Sequence, residues 1–207
     1  MPPDFYYGKI KMTLTATQKL FAKPLTAALT ALLLACAAPA WADDHAQFQQ
    51  GYTAYQAGNY AQALRLWQPL AQKGNAEAQF ALGLMYDKGQ GVAQTDRQAA
   101  AWYQKAADQG DADAQLNLGL MYANGRGVAK NYQQAAAWWQ KAADQGDAEA
   151  QYNLGLMYYN GQGMARNYRQ AAAWYKKVLA QPDTPENAEA KALARENLQG
   201  LSKRGVR

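Results

Sequence analysis

The chain has 207 residues, 49% hydrophobic and 18% charged, with a formal charge of +5 and a single cysteine. One cysteine excludes an internal disulfide framework. From Asp43 onward 17 basic side chains oppose 15 acidic ones, so the basic isoelectric point is no argument for a nucleic-acid binder.

Residues 1–42 read as an export leader. Lys19 and Lys23 give a basic start, the apolar run 25–35 is too short to span a bilayer, and Ala40-Trp41-Ala42 places small residues around a variable one before Asp43-Asp44. This pattern predicts cleavage after Ala42 and a periplasmic or secreted product without a membrane span. MPPDFYYGKIK (1–11) suits a leader poorly, which makes Met12 an alternative start. Leu33-Leu34-Ala35-Cys36 resembles a lipobox, so the alternative is a lipoprotein anchored through Cys36.

The 165 residues left by such a cleavage suffice for one domain. Residues 43–75 form a divergent first unit, in which Gly51 and Ala63 stand 12 apart; Gly83 and Ala99 of the next unit stand 16 apart. Its connecting turn is therefore expected to be four residues shorter. Residues 76–111 and 112–147 are identical at 25 of 36 positions, and 148–183 follows the same pattern. Self-similarity at this period predicts a stacked array.

Within each unit, AEAQFALGLMYDKG and its copies carry apolar residues at helical spacing, and so does DRQAAAWYQKAADQG after the GQGV loop. Each unit reads as helix, turn, helix. Asn75, Asp111, Asp147 and Asp183 recur directly before the first helices, where a side-chain oxygen caps free N–H groups. Gly110 and Gly146 precede two of them and suit a left-handed helix end, while the paired glycines 89/91, 125/127 and 161/163 mark the bends. Gly83, Gly119 and Gly155 are expected where another helix crosses closely, with Ala99, Ala135 and Ala171 facing them. Tyr86, Tyr122, Tyr158, Trp102, Trp138 and Trp174 are expected to fill the larger spaces. After Asp183, Thr184-Pro185-Glu186 is expected to open a capping helix within 184–207.

The motif A-x-A-Q-x-x-L-G-x-M-Y-x-x-G-x-G-V, followed by A-A-A-W-[YW]-x-K-A-A-x-Q-G, resembles the Sel-one-like (SLR) repeat family across residues 76–181. That family is related to the tetratricopeptide (TPR) repeats, which the first unit, with GNYAQALRLWQPLAQKGN, resembles in its short turn. The resemblance implies an all-α fold, an α/α right-handed superhelix or solenoid of helix-turn-helix repeats closed by a C-terminal capping helix. It also implies that the first helices line a concave groove.

The positions that differ between copies support such a groove: Phe80/Leu116/Tyr152, Ala81/Asn117/Asn153 and Asp87/Ala123/Tyr159. Spacing of i, i+4 and i+7 joins Phe80, Leu84 and Asp87, then Leu116, Leu120 and Ala123, then Tyr152, Leu156 and Tyr159 on one face. The first unit adds Phe48, Tyr52 and Tyr55. With Glu77, Asp113 and Glu149 along one edge, the expected occupant is an apolar or mildly basic peptide of a protein partner. Burial of these rings by a tight superhelix, or self-association, is the alternative.

No catalytic, cofactor or metal site is expected. After the leader there is one histidine, His45, one serine, Ser202, and no cysteine, so neither a Ser/His/Asp nor a Cys/His site assembles. Asp108 with Asp111 and Asp144 with Asp147 recur in DQGD, as caps do and a single active site does not. The glycine loops lack the Gly-Lys-Ser/Thr ending of a phosphate loop. The family's cysteine-rich branch, some members of which have been associated with β-lactam binding or hydrolysis, has disulfide-stapled repeats. This chain has neither cysteine pairs nor an S-x-x-K run. The expected function is a non-catalytic interaction scaffold or adaptor in the bacterial cell envelope. The alternative is an envelope enzyme, or a binder of a small ligand such as a cell-wall fragment or β-lactam.

Overall fold

A computed structural model describes residues 40–206. The leader up to Pro39, the lipobox at Cys36 and the choice between Met1 and Met12 lie outside the described residues. Among those described, the regular elements are helices: α1 (Ala40–Gln56), α2 (Tyr60–Gln72), α3 (Ala76–Lys88), α4 (Asp96–Asp108), α5 (Ala112–Asn124), α6 (Tyr132–Asp144), α7 (Ala148–Asn160), α8 (Tyr168–Ala180) and α9 (Ala188–Lys203). Consecutive helices pair as hairpins, each second helix packs on the next first helix, and α9 covers the end of the stack against α8 and α7. The result is an all-α solenoid.

The expected caps form at three of four places. The side chains of Asn75, Asp111 and Asp147 accept the backbone N–H groups of Ala78, Ala114 and Ala150 at 2.7, 2.7 and 2.6 Å. The first helices then end at Gly89, Gly125 and Gly161 in the left-handed conformation. Asp183 departs from this pattern. Pro182 stands where Gly110 and Gly146 stand in the earlier units, and proline cannot take their positive φ. The chain leaves α8 extended at Gln181, and α9 begins only at Ala188, after the expected Thr184-Pro185-Glu186 start. Asp183 caps nothing there; it pairs with the ammonium of Lys191, which also donates to the Gln181 carbonyl.

The packing glycine works through a ring. A Cβ built on Gly83 would lie 2.5 Å from the Tyr103 ring, and Gly51, Gly119 and Gly155 are pressed in the same way by Trp67, Trp139 and Tyr175. These four rings are fully buried. The expected space-fillers Trp102, Trp138 and Trp174 stand one residue earlier on the second helix; Trp138 and Trp174 are buried and Trp102 is half-buried against the core. There Lys105, Lys141 and Lys177 lie over their faces at 3.9, 3.8 and 3.8 Å. Tyr86, Tyr122 and Tyr158 are half-buried.

A glutamine ladder stitches the units. Gln79, Gln115 and Gln151 are buried in the first helices and donate to the carbonyls of Ala71, Ala107 and Ala143, near the end of the preceding helix. Their own carbonyl oxygens accept from Gln109, Gln145 and Gln181. Each amide thus ties three helices while meeting its own hydrogen-bonding need, which keeps its burial from being costly.

The loops make the second inter-unit contact. A Cβ on Gly127 would collide with the Asp96 carbonyl of the preceding unit, and those on Gly91 and Gly163 with Tyr60 and Tyr132. In the first unit only residues 57–59 join the helices, against 89–95 in the second. The outer face of α1 is also different. Ala46, Gln49, Gln50 and Thr53 occupy the register at which α3 buries Ala78, Ala81, Leu82 and Met85. That polar face is the one an end repeat presents to water.

Candidate interaction surface

The first helices are sealed along most of their length. In α3, residues 78–85 are all buried, and residues 114–121 of α5 and 150–157 of α7 are likewise. This corrects most of the expected groove. The i, i+4, i+7 face exists, but it meets the unit's own second helix. Phe48, Phe80 and Tyr152 pack on Trp67, Tyr103 and Tyr175 with ring centroids 5.7, 5.8 and 5.6 Å apart. Leu116 gives its carbonyl to the Trp139 indole N–H at 3.1 Å. Leu84, Leu120 and Leu156 are core, as are Asn117 and Asn153; Asn117 donates to the Asp113 carbonyl of its own helix. A small residue at the crossing draws the helices so close that no floor is left open.

Of the expected groove residues, only Tyr52, Tyr55 and Tyr159 remain half-exposed, and Asp87 is buried in an ion pair. Tyr55 and Asp87 belong to a joint that recurs with different chemistry at each boundary. Tyr55 donates to the Gln90 side chain at 2.6 Å, and Gln90 donates to the Tyr60 hydroxyl at 3.0 Å. One unit later Arg126 replaces Gln90 and bridges Asp87 and Asp96. The next boundary pairs Gln162 with Tyr132 at 3.3 Å. At the end of the stack Arg204 of the cap lies over Tyr159 and Tyr168, at 5.7 and 5.8 Å from the ring centroids. Arg204 thus fills the place of a following unit's loop. Neither this joint nor the glutamine ladder was foreseen, although both recur at fixed register in the sequence.

Charge divides between the two edges of the stack. The edge of loops and adjoining helix ends carries exposed Lys88, Arg97, Lys130, Arg166 and Arg169, and α9 brings Lys203 and Arg204 to it. The opposite edge, built of DQGD turns, carries Asp108, Asp111, Asp113, Asp144, Asp147 and Glu149, diluted by Lys105 and Lys141.

Within that acidic edge, burial is the main force pushing the Asp111 carboxyl up to about 7, opposed by its Ala114 hydrogen bond and aided by Asp113 and Glu77. Burial likewise pushes Asp147 up to about 6, against its Ala150 hydrogen bond. A carboxyl raised in the folded state contributes stability below its unfolded pKa and loses it as pH rises through the folded value. Stability should therefore fall between about pH 4 and pH 7 through these two groups. Asp111→Asn with Asp147→Asn keeps the cap, as Asn75 does, and should remove that slope and add about 1–2 kcal/mol at pH 7.5. Urea unfolding of parent and variant at both pH values checks it; equal slopes would place the carboxyls in water.

Among the described residues, no group of three or more His, Cys, Asp or Glu is placed to hold a metal ion, and no helix is long and apolar enough to cross a membrane. A family model described as the Sel1 repeat matches residues 46–75, 76–111, 112–147 and 148–181. The chain belongs to the Sel1 repeat family. The match takes in the first unit, despite its TPR-like short turn. This Sel1 repeat chain is 38% identical to a Sel1 repeat protein from Oxalobacter formigenes, with a TM-score of 0.62, covering 69% of this chain and 59% of that one. It is 34% identical to a protective antigen present in uropathogenic Escherichia coli strains that displays an SLR fold. There the TM-score is 0.70, with 79% of this chain and 34% of the other covered. The Sel1 chain therefore spans less than two thirds of either protein's length. No curated protein matches it. Sel1 repeats generally build non-catalytic scaffolds that mediate protein interactions.

Proposed function

We propose that this Sel1 repeat chain is an exported interaction scaffold of the bacterial cell envelope, holding protein partners without chemistry of its own. The observation that carries the reading is the use made of the recurring polar groups. Asp111 and Asp147 cap helices, the glutamines stitch units, and Arg126 bridges two aspartates. The groups that a periodic array repeats are spent on stacking, and what is left to the outside is surface. Export rests on the basic start, the apolar run and the Ala-Trp-Ala site of residues 1–42.

Intact-mass analysis of protein recovered from the cell envelope should find a chain beginning at Asp43, with protein partners retained on affinity co-purification. A diacylated Cys36 start would replace the soluble form by an anchored one. A parent protein that retains no partner from envelope or culture fluid would remove the scaffold reading. Tyr152→Ala is unsuited to probing a groove, because Tyr152 is buried and accepts a hydrogen bond from Asn197 at 2.9 Å.

A further inference from the structure

We propose that the loop edge around Lys130, Arg166, Arg169, Lys203 and Arg204 is a docking strip for an extended acidic segment of a partner protein. The inference rests on the scaffold reading and names the chemistry of its partner. It starts from charge complementarity: these five cations are all exposed, stand on the last two loops, the first turn of α8 and the end of the cap, and have no acidic residue among the loop residues 125–131 and 161–167. Arg204 is tied to this edge by its contact with the Tyr168 hydroxyl at 3.4 Å. Lys130 and Arg166 occupy the same register one unit apart, lying over Tyr132 and Tyr168 at 4.9 and 5.5 Å.

That arrangement favours one occupant over three others. Three of the five cations are arginines, whose planar fork pairs with carboxylates through two parallel hydrogen bonds. Repetition of a cation at the same register in successive units suits a chain extended along the stack. A single-stranded nucleic acid needs open ring faces for base stacking, and here the tyrosine rings lie under Lys130, Arg166 and Arg204. A second copy would bring its acidic edge, but that edge carries Lys105 and Lys141, which repel the strip. An anionic membrane would be expected to draw on large apolar side chains for insertion, and the exposed loop residues beside the cations, glycines apart, are Ala129, Asn131, Ala165 and Asn167.

The test titrates the purified protein into a fluorescein-labelled oligoglutamate peptide, followed by anisotropy. An oligolysine peptide of equal length serves as control. Saturable binding to oligoglutamate alone is expected, weakening as salt rises from about 50 to about 300 mM. Arg166→Gln with Arg169→Gln should weaken it about tenfold with helicity and melting midpoint unchanged. Glutamine already stands at these registers as Gln94 and Gln133, so the fold accommodates it. Lys105→Gln with Lys141→Gln, an equal loss of charge on the other edge, should leave binding unaltered.

The inference is overturned if oligoglutamate does not bind, or if both double variants weaken it equally. It is also overturned if the protein prefers single-stranded DNA, anionic vesicles or, by sedimentation, its own copies. An envelope partner retained equally by parent and Arg166→Gln/Arg169→Gln overturns the strip and leaves the scaffold standing. A parent that retains nothing sinks the scaffold itself.

Discussion

Truncating Trp139 to alanine is expected to lower the unfolding free energy by about 3–5 kcal/mol, the largest effect of any single change considered. The indole is fully buried, presses on Gly119 so closely that a Cβ there would collide with it, and donates its N–H to the Leu116 carbonyl at 3.1 Å. Removing the ring leaves a cavity between α5 and α6 that glycine cannot fill, and strips a buried carbonyl of a partner. The neighbouring Trp138 is the control. It too is buried, under the Lys141 ammonium at 3.8 Å, but no glycine is pressed against it, and its truncation should cost less, about 2–3 kcal/mol. Urea denaturation followed by far-ultraviolet circular dichroism measures both. Equal losses would mean that the two indoles share one environment.

The second large effect belongs to the Arg126 joint. Arg126→Gln should destabilise the protein by about 2–3 kcal/mol, because Asp87 is buried and would lose the guanidinium it pairs with. The loss is less than that of a fully buried pair, since Arg126 and Asp96 remain partly open to water. Asp87→Ala combined with Arg126→Gln transplants the residues found at the next boundary, Ala123 and Gln162. That double variant should recover more than half of the loss, giving a coupling energy of about 1 kcal/mol or more in a double-mutant cycle. Strict additivity would show that the guanidinium and the Asp87 carboxylate do not act as a pair. The same variant leaves Lys130 and Arg166 in place, so it separates stacking from the docking chemistry proposed for this edge.

Periodicity made the units, the helix caps at Asn75, Asp111 and Asp147, and the packing glycines legible in the chain itself, because local backbone needs recur wherever the same local structure recurs. The short turn of the first unit was legible for the same reason, from the spacing of Gly51 and Ala63. Residue differences between copies were a poorer guide to binding. Phe80, Leu116 and Tyr152 differ, yet all three are buried against their own second helices. Variation there reflects different ring pairs filling equivalent spaces, which sequence alone does not separate from variation selected by a ligand.

What the sequence by itself determined was thus the helical hairpin, its period and its family, since caps, glycines and apolar spacing act within one unit. What only the tertiary structure decided was which face each helix hides and where the charges collect. The crossing at Gly119 and its equivalents brings the helices together and closes the expected groove. Pro182 in place of glycine shifts the cap helix, so that Arg204 arrives beside Tyr168. A chain almost neutral from Asp43 onward becomes a body with one basic and one acidic edge, because stacking sets every loop on one side and every DQGD turn on the other.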